Sequence, residues 1–173
     1  KRIPNKNIKL LGGYPLIAWS ITCARMCNLP AYVSSDSLEY LKLAVQYGAI
    51  PHQRLSGYED SAKDVAVISD FIQHVDCQDI VFLRPTTPLR DPHSISTIIQ
   101  AYNIYPRHYI TACKMRDGDF YRNNGYCEIF PSNAFGENKV ALVRESEVGE
   151  IDEPDDLDYA EWRLQKYGSP IWE

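Results

Sequence analysis

The chain lacks several features that would place it in a specialised class of protein. Its five cysteines are scattered and form no Cys-x-x-Cys pair, which disfavours a zinc site and indicates reduced thiols in a cytoplasmic setting. No apolar run approaches the ~20 residues that a membrane span requires, and no signal-peptide pattern is visible. Positive charge is also scarce. The net charge of -5 makes nucleic acid an unexpected partner.

What is present suits one globular domain. The chain has 173 residues, 45% of them hydrophobic, which is enough to build a substantial core. It contains no internal repeat, no low-complexity tract and no glycine-rich linker. We therefore expect a single domain over residues 1–173.

Strand-like and helix-like segments alternate along the chain. Helix-starting and helix-ending residues and apolar periodicity predict helices over 15–27, 38–47, 60–75, 91–105 and 154–167. Strands are predicted over 32–33, 79–83, 109–113 and 125–130. The continuous apolar run at 79–83 is typical of a central parallel strand that is buried on both faces. This alternation predicts an α/β domain with a mostly parallel sheet and helices on both faces.

Ligands in such folds bind beyond the carboxyl ends of the strands. This rule selects the polar segment 35–37 and the loop 84–90, Arg-Pro-Thr-Thr-Pro-Leu-Arg. A third candidate is the basic opening of the chain, where Lys1, Arg2, Lys6 and Lys9 fall within nine residues. A loop of this composition can bind an anion such as phosphate, although a frayed basic terminus is the alternative.

Several motifs, taken in order, give the chain a resemblance to a known family. The segments that carry it are Lys-Arg-Ile-Pro-Asn-Lys-Asn-Ile at 1–8, Gly-Tyr-Pro-Leu-Ile-Ala-Trp-Ser-Ile at 13–21, Ser-Ser-Asp at 34–36, Leu-Arg-Pro-Thr-Thr-Pro-Leu-Arg at 83–90, Arg-Asn-Asn-Gly at 122–125 and Glu-Ile-Asp-Glu-Pro-Asp-Asp-Leu at 150–157. Together they resemble the acylneuraminate cytidylyltransferases, the CMP-sialic acid synthetases. The match covers nearly the whole chain, and the shared order makes it specific.

The resemblance implies a three-layer α/β/α, Rossmann-like nucleotide-diphospho-sugar transferase fold. It also implies transfer of a cytidylyl group from CTP to the anomeric hydroxyl of a nonulosonic acid such as N-acetylneuraminate, with release of pyrophosphate. Mg²⁺ would be the cofactor and a homodimer the expected assembly. The reaction is an in-line displacement at phosphorus, which depends on positioning and charge neutralisation.

The nucleotide side of the implied site involves residues from three segments. Lys1 and Lys6 are expected at the triphosphate, and Asn7 near the cytidine, although Asn7 could equally be a turn residue. Arg54 and Ser61 are the other nucleotide candidates. For Ser61 the alternative role is the N-cap of its helix.

The implied metal ligands are Asp152 and Glu150, which alternation in an extended segment places on one side. Lys6 and Asp152 are the predicted catalytic pair. Asp152 could instead cap the helix near Pro154, with Asp155 completing a capping box. In the same way, Asp36 could support the nucleotide or metal, or could start a helix together with Glu39.

The sugar side is assigned to Arg84, Arg122 and Asn124, because the acceptor carboxylate suits a bidentate guanidinium. Arg84 stands where many relatives have Gln, which leaves the acceptor open among neuraminate, legionaminate and pseudaminate. Tyr126 and Phe130 alternate on a strand and are expected in the core or at a dimer surface.

Two departures from the family bear on the domain. The family has a first strand and a Pro-Ala-Arg-x-Gly-Ser run immediately before the position of Lys1. It also has a longer dimerisation insertion where this chain has a shortened segment near 114–135. We expect that these parts are missing from the sequence rather than from the protein. The alternatives are a 3-deoxy-manno-octulosonate cytidylyltransferase, disfavoured by Lys6-Asn7, and a nucleotide-binding homologue without catalysis.

Overall fold

The computed structural model describes residues 3–54, 64–114, 121–133, 140–143 and 150–172. A 3-10 turn at Lys6–Ile8 precedes the regular elements. The strands are β1 (Leu10–Leu11), β2 (Tyr14–Pro15), β3 (Tyr32–Ser35), β4 (Ile50–Gln53), β5 (Asp79–Phe82), β6 (Tyr109–Lys114), β7 (Tyr121–Pro131) and β8 (Val140–Val143). The helices are α1 (Leu16–Met26), α2 (Leu38–Gln46), α3 (Asp64–His74), α4 (Pro92–Ile104) and α5 (Pro154–Tyr167).

Local capping signals explain where the helices begin. The Ser37 hydroxyl accepts a hydrogen bond from the Tyr40 amide at the start of α2, and the Asp91 carboxylate accepts from the His93 and Ser94 amides at the start of α4. An αL residue, Asn28, follows α1 at φ 58°. Side-chain oxygens at the N-cap satisfy backbone donors that the helix leaves over. All five predicted helices are present, and the predicted start of the third, at 60–63, lies outside the described residues.

The strands pair in both directions. β3 pairs with β4 in parallel, and β6 pairs with β8 in parallel. The long strand β7 lies antiparallel between β5 and β6. Within the described residues the expectation for 79–83 is not met, because β5 pairs only with β7, in the antiparallel direction, and is half-buried. The apolar run at 79–83 is explained by packing against α4 and β7. This packing requires the same continuous apolar sequence as burial inside a parallel sheet does.

The core consists of three apolar clusters that share α1. One joins Cys23 of α1 to α4, β6 and β7, and contains Tyr126. A second joins Trp19 to β1, α5 and Ile151. A third joins Ile17 and Ile21 to α2. Tyr126 and Phe130 are both buried, which confirms the expectation that they belong to the core.

An apolar cavity of about 510 Å³ lies between β3 and β5. Val33 on one strand and Val81 on the other line it, and α1, α3 and α4 supply most of the remaining wall. Within the described residues, β3 pairs with β4 alone and β5 with β7 alone, so both strands present an edge to this space. None of the described helices combines the length and apolar character that crossing a membrane would take.

Candidate active site

A charged contact joins the start of the chain to the segment before α5. Lys6 Nζ donates to Asp152 Oδ1 at 2.7 Å, and the Asp152 side chain is 54% exposed. The 3-10 turn holds Lys6, because the Lys9 amide donates to the Lys6 carbonyl at 3.0 Å. The two residues predicted as the catalytic pair are thus in direct contact.

The same segment is fixed to the loop at 84–90. The Ile151 amide donates to the Thr86 carbonyl at 2.7 Å, and the Thr86 hydroxyl donates to Glu150 Oε1 at 2.7 Å. Glu150 is exposed, whereas Ile151 between the two carboxylates is buried in the Trp19 cluster. Burial of Ile151 therefore turns Glu150 and Asp152 together toward solvent.

The alternative role expected for Asp152, as the cap of α5, is taken by its neighbour Glu153. α5 is capped by Glu153, and the Asp156 carboxylate accepts from the Glu153 amide at 2.8 Å and from the Asp152 amide at 2.9 Å. A capping box of Asp152 with Asp155 was therefore wrong by one residue at each end. The Asp152 carboxylate is left for Lys6.

Arg84 lies between two acidic side chains. Its Nη2 contacts Asp64 Oδ2 at 2.5 Å and Glu128 Oε1 at 3.0 Å. Glu128 is buried, and its Oε2 lies 3.2 Å from Nε2 of the buried His108. Burial lowers the pKa of Arg84, but hydrogen bonding to Asp64, supported by Glu128, raises it overall above the usual value. These contacts fix the orientation of the Arg84 guanidinium beside Asp64, which belongs to α3.

Arg90 is a structural residue that the sequence reasoning did not single out. It is fully buried, and it donates to the Tyr126, Arg84 and Gly125 carbonyls and to the Ser20 hydroxyl. Burial lowers the pKa of Arg90 to about 10. One guanidinium thereby fastens both ends of the loop at 84–90 to β7. The repeated Arg at the ends of this loop was the available signal.

Gly125 permits a close approach between β7 and the same loop. Its φ is +67°, and a Cβ there would lie 3.3 Å from Thr87 Oγ1 and 3.7 Å from Arg84 Nη1. Thr87 Oγ1 is buried and has no hydrogen-bond partner within the part of the chain that the structure describes. Glycine is suited to both the backbone angle and the lack of space.

A second polar group lies at the ends of β3 and β4. Arg54 Nη2 contacts Asp36 Oδ1 at 3.3 Å, and the Arg54 amide donates to the Ser35 carbonyl at 3.0 Å. Ser37, not Asp36, caps α2, so Asp36 as the start of that helix was wrong. Asn7 lines the mouth of the cavity next to β3. Parallel pairing thus brings Asp36 and Arg54 together at the carboxyl ends of the two strands.

The side chains of four predicted site residues lie outside the part of the chain that the structure describes. Lys1 and Ser61 lie outside the described residues, so the N-cap alternative for Ser61 stays a prediction. Arg122 and Asn124 belong to the β7 backbone, but their side chains lie outside what the structure describes. Their roles remain predictions.

One group of side chains in the described part of the chain could hold a divalent metal ion: His52, Asp70 and His74. His52 and Asp70 are buried, and His74 is exposed. Burial lowers the pKa of His52, although the charge of Asp70 opposes the shift. This group was not predicted. The Asp-x-x-x-His spacing on α3 was the signal, and His52 comes from another element.

An α/β fold with cations and carboxylates gathered at strand ends is typical of enzymes that bind nucleotides. The cytidylyltransferase family model matches residues 1–148, and the chain belongs to this family. The fold is the nucleotide-diphospho-sugar transferase fold that the motifs indicated.

Two characterised relatives are similar over part of the chain. A CMP-N,N'-diacetyllegionaminic acid synthase of Legionella pneumophila is 34% identical over 113 residues, covering 60% of this chain and 49% of its own. N-acylneuraminate cytidylyltransferase A of Danio rerio is 35% identical over 104 residues, covering 58% and 24%. The chain therefore spans about half or less of the relatives that it matches.

One solved structure is similar over almost the whole chain. It is a CMP:2-keto-3-deoxy-manno-octonic acid synthetase in complex with CTP, with a TM-score of 0.76. The match covers 96% of this chain and 94% of the chain in that structure, at 10% sequence identity. Identity at this level supports the shared fold alone.

Proposed function

We propose that the protein transfers a cytidylyl group from CTP to the anomeric hydroxyl of a nonulosonic acid and releases pyrophosphate. The observation that carries the proposal is the Lys6–Asp152 contact, and Glu150, two residues before Asp152, accepts a hydrogen bond from Thr86. A cation and two exposed carboxylates next to each other suit a site that binds a triphosphate together with a metal ion. Family membership and the two relatives support the choice of chemistry.

In this reaction the anomeric oxygen forms a bond to the α-phosphorus as the bond to pyrophosphate breaks. Negative charge accumulates on the leaving group, so a fixed ammonium lowers the barrier. Lys6 supplies that charge, and Lys1 would supply a second. Asn7, Arg54 and Ser61 would contact the cytidine part, with Arg54 held near the end of β3 by Asp36.

The cofactor of the proposed reaction is Mg²⁺. Glu150 and Asp152 are hard oxygen donors on one exposed segment, which fits this ion better than the nitrogen-rich group around His52 does. When bound, Mg²⁺ would neutralise phosphate charge and favour ionisation of the sugar hydroxyl. Lys6 meanwhile keeps the Asp152 carboxylate oriented.

The acceptor side would be formed by Arg84, Arg122 and Asn124. Because Arg84 Nη2 already contacts Asp64 and Glu128, its guanidinium is fixed in orientation before a substrate arrives. An orientation fixed in advance reduces the entropy cost of binding a carboxylate. Arg122 and Asn124 belong to β7, the strand that also carries Glu128.

The proposal includes three features of the whole protein: a cytoplasmic location, a homodimer, and a further strand with the first half of the phosphate loop. The cavity between β3 and β5 supports the last of these. Two strand edges that face each other across an apolar space can both hydrogen-bond to one inserted parallel strand.

The test is pyrophosphate release by full-length protein with Mg²⁺, CTP and a panel of acceptors. The panel contains N-acetylneuraminate, legionaminate, pseudaminate and 3-deoxy-manno-octulosonate. We expect release with CTP and one of the first three acids, and little with ATP. Absence of release with every acceptor, or equal release with ATP, would overturn the proposal. Preference for the octulosonate would move the protein to the alternative substrate class.

A further inference from the structure

We propose that His52, Asp70 and His74 form a binding site for one Zn²⁺-class transition-metal ion, separate from the Mg²⁺ carboxylates. Each residue offers one ligand atom, and these atoms all lie within 4.8 Å of one another. Two imidazoles and one carboxylate are a donor set that late transition metals prefer. The inference does not depend on the proposed function.

The distances are close to those of a metal site. His52 Nε2 lies 3.8 Å from Asp70 Oδ2, and His74 Nδ1 lies 3.8 Å from Asp70 Oδ1. Ligand bonds of about 2.0–2.1 Å in a tetrahedron place neighbouring ligand atoms about 3.3 Å apart. The contraction needed is therefore about 0.5 Å for the contact between His52 and Asp70, and at most about 1.5 Å for any pair of the three ligand atoms. The Asp70 carboxylate already presents one oxygen to each ring.

Both rings are supported in the way that metal-bound histidines are. His52 Nδ1 lies 2.9 Å from the Ser34 hydroxyl, which leaves Nε2 directed toward Asp70. His74 Nδ1 lies 2.7 Å from the Asp70 carbonyl oxygen, and Nε2 is the remaining ring nitrogen. An oxygen on the other nitrogen typically orients a ligating histidine. The His74 side chain is 53% exposed, so the ring can turn to present Nε2 to an ion, or Nδ1 once it gives up the contact with the Asp70 carbonyl.

The position of the group gives the ion a role in the fold. His52 lies on β4, whereas Asp70 and His74 lie one turn apart on α3. Ile68 and Asp70 are the buried residues among those described in α3, and Phe71 packs edge-on against the rings of Tyr32 and His52. An ion would link α3 to β4. Because α3 begins at Asp64, which contacts Arg84, the link would also steady the proposed acceptor side.

The experiment measures Zn²⁺ alone, without nucleotide, on the full-length protein after treatment with a chelator. We expect one Zn²⁺ per chain by calorimetry and elemental analysis, a rise in Tm, and no displacement by millimolar Mg²⁺. Co²⁺ substituted for Zn²⁺ should give the visible absorption of a four-coordinate site. Absence of saturable binding, or displacement by Mg²⁺, would overturn the inference. Neither outcome bears on cytidylyl transfer.

Three variants locate the site. His74→Ala changes an exposed ligand, so it should fold and lose the Zn²⁺-dependent rise in Tm, whereas His93→Ala changes an exposed histidine elsewhere and should retain it. Ser34→Ala removes the support of His52 and should weaken binding about 10-fold while leaving the stoichiometry unchanged. Equal Zn²⁺ affinity in His74→Ala and His93→Ala would show that Zn²⁺ binds elsewhere and would refute the assignment.

Discussion

The Lys6 ammonium lies 2.7 Å from the Asp152 carboxylate, although 146 positions separate the two residues. Two backbone features make the contact possible: the 3-10 turn at Lys6–Ile8 and the hydrogen bond between Ile151 and Thr86. A salt bridge between exposed groups adds about 1 kcal/mol or less to stability. Loss of this contact alone should therefore change stability little.

Replacing Asp152 with Asn should abolish pyrophosphate release while leaving the fold intact. The substitution keeps the size of the side chain but removes the charge that contacts Lys6 and that would bind Mg²⁺. Since α5 is capped by Glu153 and Asp156, no cap is lost. Turnover and Tm of full-length protein are the measurements.

Glu153→Ala is the matched control for Asp152→Asn. It removes the N-cap of α5 and should lower the free energy of unfolding by about 1 kcal/mol with activity retained. If Asp152→Asn instead lowered Tm as much as Glu153→Ala and kept its turnover, Asp152 would be a structural residue.

Arg90→Met should be among the most destabilising single substitutions in the chain. It removes the buried donor of the Tyr126 and Gly125 carbonyls and of the Ser20 hydroxyl, whereas the Arg84 carbonyl keeps bonds from the Thr87 amide and the Ser20 hydroxyl. Each buried acceptor that loses its partner costs about 1–3 kcal/mol, so we expect a loss of more than about 3 kcal/mol. Urea unfolding measures it.

Arg25→Met provides the comparison for Arg90→Met. Arg25 is exposed and donates to one carbonyl, that of Tyr47, at 3.1 Å. Its replacement should cost less than about 1 kcal/mol. Similar costs for both substitutions would contradict a specific role of Arg90 in holding the loop at 84–90.

Cys23 and Cys127 should resist alkylation in the folded protein. Burial raises the pKa of both thiols to about 12. At pH 8 only about one thiol in 10,000 is then ionised, and the thiolate is the reactive form. Reactivity should increase as pH rises, because deprotonation increases with pH.

Iodoacetamide labelling with peptide mass spectrometry tests the thiols, with Cys77 as the internal control. Burial also raises the pKa of Cys77, but this residue is only half-buried and should react first. Denaturant should remove the difference. Rapid labelling of Cys127 in folded protein would show that the core around α4 and β7 opens readily.

The parts of the fold that could be predicted are those encoded by neighbouring residues. α4 and α5 begin with Asp91-Pro92 and Glu153-Pro154, whose capping contacts are local. β4 was missed because Ile50-Pro51-His52-Gln53 lacks a strand pattern, and its pairing with β3 is what makes it a strand. The antiparallel pairing of β5 with β7 was not predicted, because β7 follows about 40 residues later.

In the candidate site, too, residue identities could be predicted from local sequence, whereas contacts between distant residues could not. Charged residues such as Lys6 and Asp152 could be chosen from motifs, yet their direct contact depends on tertiary packing. Arg90 was overlooked because a charged residue is rarely fully buried, and three of the four acceptors that compensate its burial come from distant segments. His52 could not be linked to Asp70 and His74 before β4 was recognised.

Gly125→Ala should lower stability more than Gly13→Ala and should also weaken acceptor binding. Both glycines have positive φ, +67° and +84°, so an alanine costs about 1–2 kcal/mol of backbone strain at either position. At Gly13 no atom lies within 4 Å of the added Cβ, whereas at Gly125 Thr87 Oγ1 lies at 3.3 Å. The second cost applies only to Gly125.

The two glycine variants separate the backbone from the site. Displacement of Thr87 and Arg84 in Gly125→Ala should raise KM for the acceptor while KM for CTP changes little, and Gly13→Ala should change neither. Urea unfolding and steady-state kinetics on full-length protein supply both readouts. Equal losses of stability with unchanged KM values would mean that the loop at 84–90 accommodates the methyl group. The approach of β7 to Arg84 would then have no part in acceptor binding.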